Sequence, residues 1–217
     1  MKTNLCFLSV TMRTYIYIDG FNFYYLAVKK TPYKWLDFKS LFVKLLGPNN
    51  DISAIKYYTA LVSGIQDPQQ PIRQQIYLNA LQTYIPELSV HYGSFLTNKK
   101  WMPLVNPISN TKFVEVIKTD EKGSDVNLAV HLVNDAWKNY YDCAVIVSND
   151  SDLYEAMRIV KDELNKLIGL IILPRGNPSV SLLNCANFKK AIRNNLLKNS
   201  QLPDPIPNTN INKPATW

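Results

Sequence analysis

The sequence predicts an α/β fold of three layers, in which a central, mostly parallel sheet is flanked by helices. Three observations carry that prediction. Strand-like and helix-like segments alternate along most of the chain, the rhythm of repeated βα units whose sheet is covered on both faces. The strand candidates, such as TYIYID and CAVIVS, are short and rich in β-branched, aromatic or aliphatic residues, as buried strands are. Finally, strands run straight into acidic residues, Asp19 after the first and Asp150 after a later one, at the edge where open α/β sheets bind their ligands.

Taken in order, residues 14–19 form the first strand and 21–29 a first helix. Asp37 caps a second helix whose apolar residues Phe38, Leu41, Phe42 and Leu45 keep helical spacing, and Gly47-Pro48 ends it. Residues 52–61 are a strand, Asp67-Pro68 a turn, and 72–84 a helix closed by Pro86. A strand over 88–95 leads into a polar, proline-broken stretch, 97–112, expected as a long loop or hairpin around Trp101, and then into a strand over 113–117. A helix over 124–138, a strand over 143–148, a helix over 153–164 and a last strand over 167–173 complete the pattern. Residues 186–198 read as a final helix.

At 217 residues, 47% hydrophobic and 19% charged, the chain is long enough for one full core. The expected division is an N-terminal extension over 1–13, one domain over 14–200, and a Pro/Asn-rich C-terminal tail over 201–217 with too little apolar surface to order itself. The formal charge of +7 favours a polyanionic partner through counterion release, although the basic residues are spread out rather than gathered into an arm. Three cysteines at irregular spacing, Cys6, Cys143 and Cys185, support neither a disulfide framework nor a thiolate metal site, and fit a cytoplasmic protein. No apolar run reaches the length of a membrane span. The start MKTNLCFLSVTM lacks the cleavage site of a secretory leader, and Met12 is an alternative start.

The acids carry the chemistry. Asp19, Asp125 in KGSDVNLA, and Asp150 with Asp152 in SNDSD each sit at a junction leading into a helix. Each alone reads as a cap, and Asp152 with Glu155 three residues later makes a capping box. Right-handed crossovers nevertheless bring such junctions to one edge of a parallel sheet. At about 100° per residue, Asp125 falls with Ala129, Leu132 and Ala136, pointing to the sheet, while Asn127, His131, Asn134 and Lys138 gather on the far side. Carboxylates sharing one cleft need a cation, and oxygen donors without a His or Cys cluster select Mg²⁺ or Mn²⁺. Such ions serve phosphoryl chemistry.

YIDGFNFYY, EKGSDVNLAVHLVNDA and YDCAVIVSNDSDL together resemble the NYN domain, with its LabA-like branch, among the PIN-like nucleases. The resemblance covers residues 14 to about 175. It implies a PIN-like three-layer α/β/α fold whose acidic pocket coordinates Mg²⁺ or Mn²⁺ to hydrolyse phosphodiester bonds, chiefly of RNA. It places the catalytic and metal-binding acids at Asp19, Asp125, Asp150 and Asp152. Asn22 matches the asparagine after the first acid; it either orients that carboxylate or caps the first helix. His131 stands where relatives carry another acid and reads as surface. Asn149 replaces the usual glycine and tolerates a left-handed turn. Candidate phosphate and base contacts are Lys122, Lys118, Arg175, Lys99, Lys100 and Trp101, although each also reads as plain surface, with Trp101 pinning a hairpin to the core.

The function implied is a metal-dependent endoribonuclease acting on single-stranded or structured RNA, with no membrane partner and a homodimer left open. The alternatives are an RNA-binding or protein-interaction module on the same fold, and a DNA-directed nuclease.

Overall fold

A computed structural model of the protein describes residues 11–64, 67–108 and 111–217. Most of the N-terminal extension, Cys6 and the leader-like start lie outside the described residues. Strand β1 (Met12–Asp19) occupies the middle of a six-stranded sheet. Strand β2 (Asn50–Thr59) pairs with it on one side and β3 (Leu88–Tyr92) lies beyond. On the other side come β6 (Cys143–Val147), β7 (Leu167–Ile172) and β8 (Phe188–Ala191). Every pairing in this sheet is parallel, in the order β3-β2-β1-β6-β7-β8. The chain first builds outward from β1 to β3, then returns to build outward from β6. The direction reverses between β1 and β6, which makes their carboxyl ends the crevice of the fold.

The alternation of β1 fixes the layers. Ile16 and Ile18 enter one core with Trp35, Phe38, Phe42, Ile55, Leu78 and Val145, while Tyr17 between them enters the other with Tyr58, Leu128, Leu132, Ile146 and Met157, as the two-residue period of a strand requires. The first face is covered by α1 (Gly20–Phe23), which continues as a π-helical segment over Tyr24–Val28, by α2 (Phe38–Leu46) and by α3 (Gln69–Tyr84). The second is covered by α4 (Ser124–Trp137), by α5 (Tyr154–Arg158) with its π-helical continuation Ile159–Glu163, and by α6 (Val180–Cys185). This is the three-layer α/β/α arrangement that the alternation predicts. As expected, Asp37 caps α2 by accepting from the Ser40 N–H at 2.9 Å, and Gly47 ends it with φ 80°.

Four readings change. Of the loop or hairpin expected over 97–112 the structure has the hairpin, but a longer one: the strand expected over 88–95 ends as β3, and β4 (Ser94–Ile108) pairs antiparallel with β5 (Thr111–Lys122), which extends well beyond the expected 113–117. The hairpin's prolines fall toward the far end, where the pairing register shifts between Pro103 and Ile108, so they are tolerated there. The final helix expected over 186–198 is β8 plus the short α7 (Asn194–Lys198); edge pairing with β7 overrides helical propensity. His131 is half-buried rather than surface: its Nδ1 lies 3.0 Å from the Tyr58 hydroxyl, and its ring meets that of His91 at 4.7 Å.

The C-terminal stretch is also ordered onto the core. Leu202 and Ile206 are buried, Ile211 and Trp217 pack beside them, and the Trp35 indole donates to the Pro203 carbonyl at 3.1 Å. A few apolar residues spaced among prolines suffice once a finished aromatic surface exists to receive them, a gain that composition alone does not register.

Candidate active site at the sheet crevice

Asp19 ends β1 and is 3% exposed. Its burial is compensated by donors: Oδ1 accepts the Asn22 backbone N–H at 2.9 Å, and Oδ2 accepts the Asn22 side-chain amide at 2.5 Å and the Ser148 hydroxyl at 2.8 Å. Asp19 is therefore the cap of α1 and a held carboxylate at once. Asn22 orients it rather than capping, and the Asn22 side-chain oxygen also accepts the Asn149 N–H at 3.3 Å. Desolvation raises the Asp19 pKa, opposed by these hydrogen bonds and assisted by the charge of Asp150.

Beyond β6, the Ser148 hydroxyl accepts the Asp150 N–H at 3.0 Å while donating to Asp19, so one buried side chain joins the two strand ends. Asp150 caps a 3₁₀ turn over Ser151–Leu153, its Oδ1 accepting the Asp152 N–H at 3.0 Å. The expected capping box at Asp152 does not form: the cap is Asp150, and Asp152 is left exposed at the rim. Asn149 does not take a left-handed backbone; positive φ among the described non-glycine residues occurs at Asn139, Asn165 and Asn208.

The third arm comes from the hairpin. After β5 the chain turns at Gly123, φ 94°, into α4, and Glu121 reaches forward to accept from the Ser124 N–H at 3.2 Å and its hydroxyl at 2.7 Å. Gly93 packs against this turn, where an added Cβ would meet the Glu121 carboxylate and lie 2.6 Å from the Lys122 carbonyl oxygen. Asp125 then sits at the edge of the buried stripe of α4, which is centred on Leu128, Leu132 and Asp135 rather than on Ala129. Burial, and then the charges of Asp19, Asp150, Glu121 and Asp152, push its carboxyl up to about 6.

Five carboxylates from three parts of the sequence thus act on one another at the crevice. Glu121 and Ser148 belong to the candidate site and were missed by sequence reading; the signals were an acid three residues before the Ser124 that opens α4, and a small hydroxyl closing an otherwise apolar strand. The basic candidates are not drawn in equally. Lys118 pairs with Asp120 at 2.8 Å, Lys100 approaches the same acid at 3.9 Å, and Lys99 approaches Glu115 at 3.6 Å, all within the hairpin. Trp101 is 69% exposed and does not pin the hairpin to the core. Lys122 ends β5, exposed and close to Asp125 in sequence. The Arg175 guanidinium donates to the Tyr25 carbonyl at 3.2 Å, tying the loop after β7 to the first helical segment.

The donor set is all hard oxygen, which suits Mg²⁺ or Mn²⁺ rather than a soft metal. Among the described residues, no three His, Cys, Asp or Glu side chains stand close enough to hold one ion between them. The fit is to an ion held by one or two carboxylates and by water, as Mg²⁺ commonly is. The Asp125 and Asp152 carboxylates, and Oδ2 of Asp150, accept no hydrogen bond from described residues and are available to it.

A three-layer α/β/α domain with acids gathered at the switch point of its sheet has the architecture of the PIN-like class. The chain belongs to the NYN domain family, whose model matches residues 13–192, a family of PIN-like nucleases. It is 31% identical over 238 residues, spanning 96% of this chain and 76% of the relative, to a Pseudomonas putida protein named 6-hydroxy-3-succinoylpyridine 3-monooxygenase HspA. A crystal structure of a Vibrio parahaemolyticus protein of unknown function resembles the fold at TM-score 0.55 and 19% identity, over 89% of this chain and 98% of that one.

Proposed function

We propose that the protein is a metal-dependent endoribonuclease that hydrolyses RNA phosphodiester bonds at the crevice between β1 and β6. The observation carrying this is the gathering of five carboxylates at one crevice: burial and four neighbouring acids raise the Asp125 carboxyl to about 6, a repulsion that a bound cation would relieve. One or two of Asp19, Asp125, Asp150 and Asp152, with water, would hold Mg²⁺ or Mn²⁺, which when bound lowers the pKa of a water and neutralises charge on a phosphate. Ser148 and Asn22 hold Asp19 in one orientation, and Ser148 sets the Asp150 loop against it. Asp152, exposed at the rim, orients the attacking water. Lys122 and Arg175 are the basic candidates closest to this edge by their place in the fold and would meet the strand's phosphates. A cytoplasmic location without a membrane partner is part of the same proposal; among the described residues no helix is long and apolar enough to cross a membrane.

Incubation of purified protein with Mn²⁺ and matched RNA and DNA substrates tests the proposal. Cleavage of RNA that is stopped by chelation and by Asp150→Asn supports it; intact RNA, or cleavage indifferent to Asp19→Asn and Asp150→Asn, overturns it. Preference for DNA would reassign the substrate. RNA binding indifferent to metal, without cleavage, would leave a binding module.

One observation favours a second reading. The 31% identical Pseudomonas relative carries the name of a monooxygenase acting on a hydroxypyridine, so hydroxylation of a small heteroaromatic acid is an alternative activity. Product analysis after aerobic incubation with 6-hydroxy-3-succinoylpyridine and a nicotinamide reductant separates the two.

A further inference from the structure

Next to the acids, on the opposite face of the sheet from α4, lies a cavity of about 360 Å³, within the range of about 300–1,000 Å³ that small-ligand sites occupy. Phe23, Tyr24, Phe38, Tyr57, Tyr77 and Trp217 wall it. Its connection to the acidic crevice is Gly20, which lines the cavity and directly follows Asp19, their Cα atoms about 3.8 Å apart. A Cβ at Gly20 would lie 2.9 Å from the Tyr57 hydroxyl, so that phenol packs against Gly20, the residue next to Asp19.

Two polar groups in the wall lack partners. The Trp217 indole N–H is buried with no hydrogen-bond partner among the described residues. The Tyr57 side chain is 7% exposed, and its hydroxyl makes no hydrogen bond among the described residues but, unlike the indole, is not fully closed off from solvent. Buried donors are ordinarily satisfied, and leaving one unpaired is costly. An indole can only donate, so the missing group must bring an acceptor, and the aromatic walls favour one with a flat π-face. Burial, and then the charge of Asp19, keep the Tyr57 phenol protonated and able to donate. At the rim, Arg73 is paired with Asp67, while Gln70 is exposed.

The geometry points to a base-binding subsite: the cavity takes one nucleobase of the strand whose phosphate lies at Asp19, stacking it on the aromatic wall and meeting its ring acceptors with Trp217 and Tyr57. This rests on the nuclease reading above and adds to it a fixed position for one base beside the scissile bond. A flat heteroaromatic ring arriving as a free small molecule shares the chemistry, and the test separates the two sources.

The test uses the full chain and needs no hydrolysis. In the first arm, saturation-transfer NMR in EDTA follows adenosine, guanosine, cytidine and uridine, with ribose 5-phosphate as control. Base protons of at least one nucleoside should saturate and ribose 5-phosphate should not, and Gln70→Trp, which fills the rim from an exposed position, should abolish the effect. In the second, RNA 12-mers carrying one abasic residue at each position in turn are bound in Ca²⁺. One position should cost about tenfold in affinity, and that cost should vanish in Gln70→Trp. A flat abasic scan overturns the subsite, even if nucleosides bind, since it assigns the cavity to a free ligand; so does a scan unchanged by Gln70→Trp. A chain that cleaves RNA with a flat scan refutes this inference alone, and a chain that shows the base dependence but never cleaves refutes the nuclease reading alone.

Discussion

The Ser148 hydroxyl donates to Asp19 Oδ2 at 2.8 Å from a fully buried position. Because the same oxygen accepts the Asp150 N–H, this contact couples the ends of β1 and β6. Ser148→Ala leaves a buried carboxylate short of a donor and a backbone N–H without its acceptor, at a cost of about 1–3 kcal/mol. Chemical denaturation should show that loss, and RNA cleavage should fall with it; Ser148→Thr, which keeps the hydroxyl, should lose less activity.

Asp125 fixes the direction of a pH effect. Its folded-state carboxyl is raised to about 6 above an unfolded value of about 3.9, so between these values the folded protein binds the extra proton. The metal-free protein should therefore be most stable with respect to this group below about pH 4, and lose that contribution as pH rises through 6. Two units correspond to about 3 kcal/mol at most, reduced by solvent at this partly exposed site to about 1–2 kcal/mol. Asp125→Asn should stabilise the metal-free protein at pH 7 by that amount and abolish stabilisation by Mn²⁺, both read by thermal melts in EDTA and in Mn²⁺.

Gly20 has no room for a side chain. A Cβ there would come within 2.6 Å of the Tyr58 carbonyl oxygen and 2.8 Å of the Tyr57 ring, and the carbonyl belongs to the central sheet. Gly20→Ala should cost about 1–3 kcal/mol by overpacking, and should displace Asp19 enough to lower cleavage more than the stability loss explains.

The C-terminal stretch makes a separate test. Ile206 is 1% exposed, so Ile206→Ala should destabilise the whole domain by about 2–5 kcal/mol in one cooperative transition. A true tail would show no effect.

What the sequence revealed, and what it hid, divides along physical lines. β1, β6 and their acids were legible because an apolar run ending in Asp is a local signal, and the parallel topology then brings such ends together. The hairpin was legible only as one of two alternatives, and its length was not, because its strands, exposed at Phe113 and Ile117 and carrying Pro103 and Pro107, offer little burial pattern to read. Ser148, Glu121 and the packed Ile206 were missed for a shared reason: each matters through a partner distant in sequence or held by side-chain geometry, and neither composition nor periodicity encodes such a partner. The charges of Asp19, Asp150 and Asp152 act on Asp125, although the helical wheel misjudged the centre of its buried stripe.

The central claim is that the crevice where acids from β1, from the hairpin–α4 junction and from β6 gather binds a divalent ion. Anomalous diffraction from crystals soaked in Mn²⁺ tests it most directly. A manganese peak bonded to at least one of the Asp19, Asp125 and Asp150 carboxylates, with its remaining ligands water or a second of these acids, is the predicted result. Crystals that bind Mn²⁺ elsewhere, or not at all, with no manganese bonded to any of these three carboxylates, would contradict it.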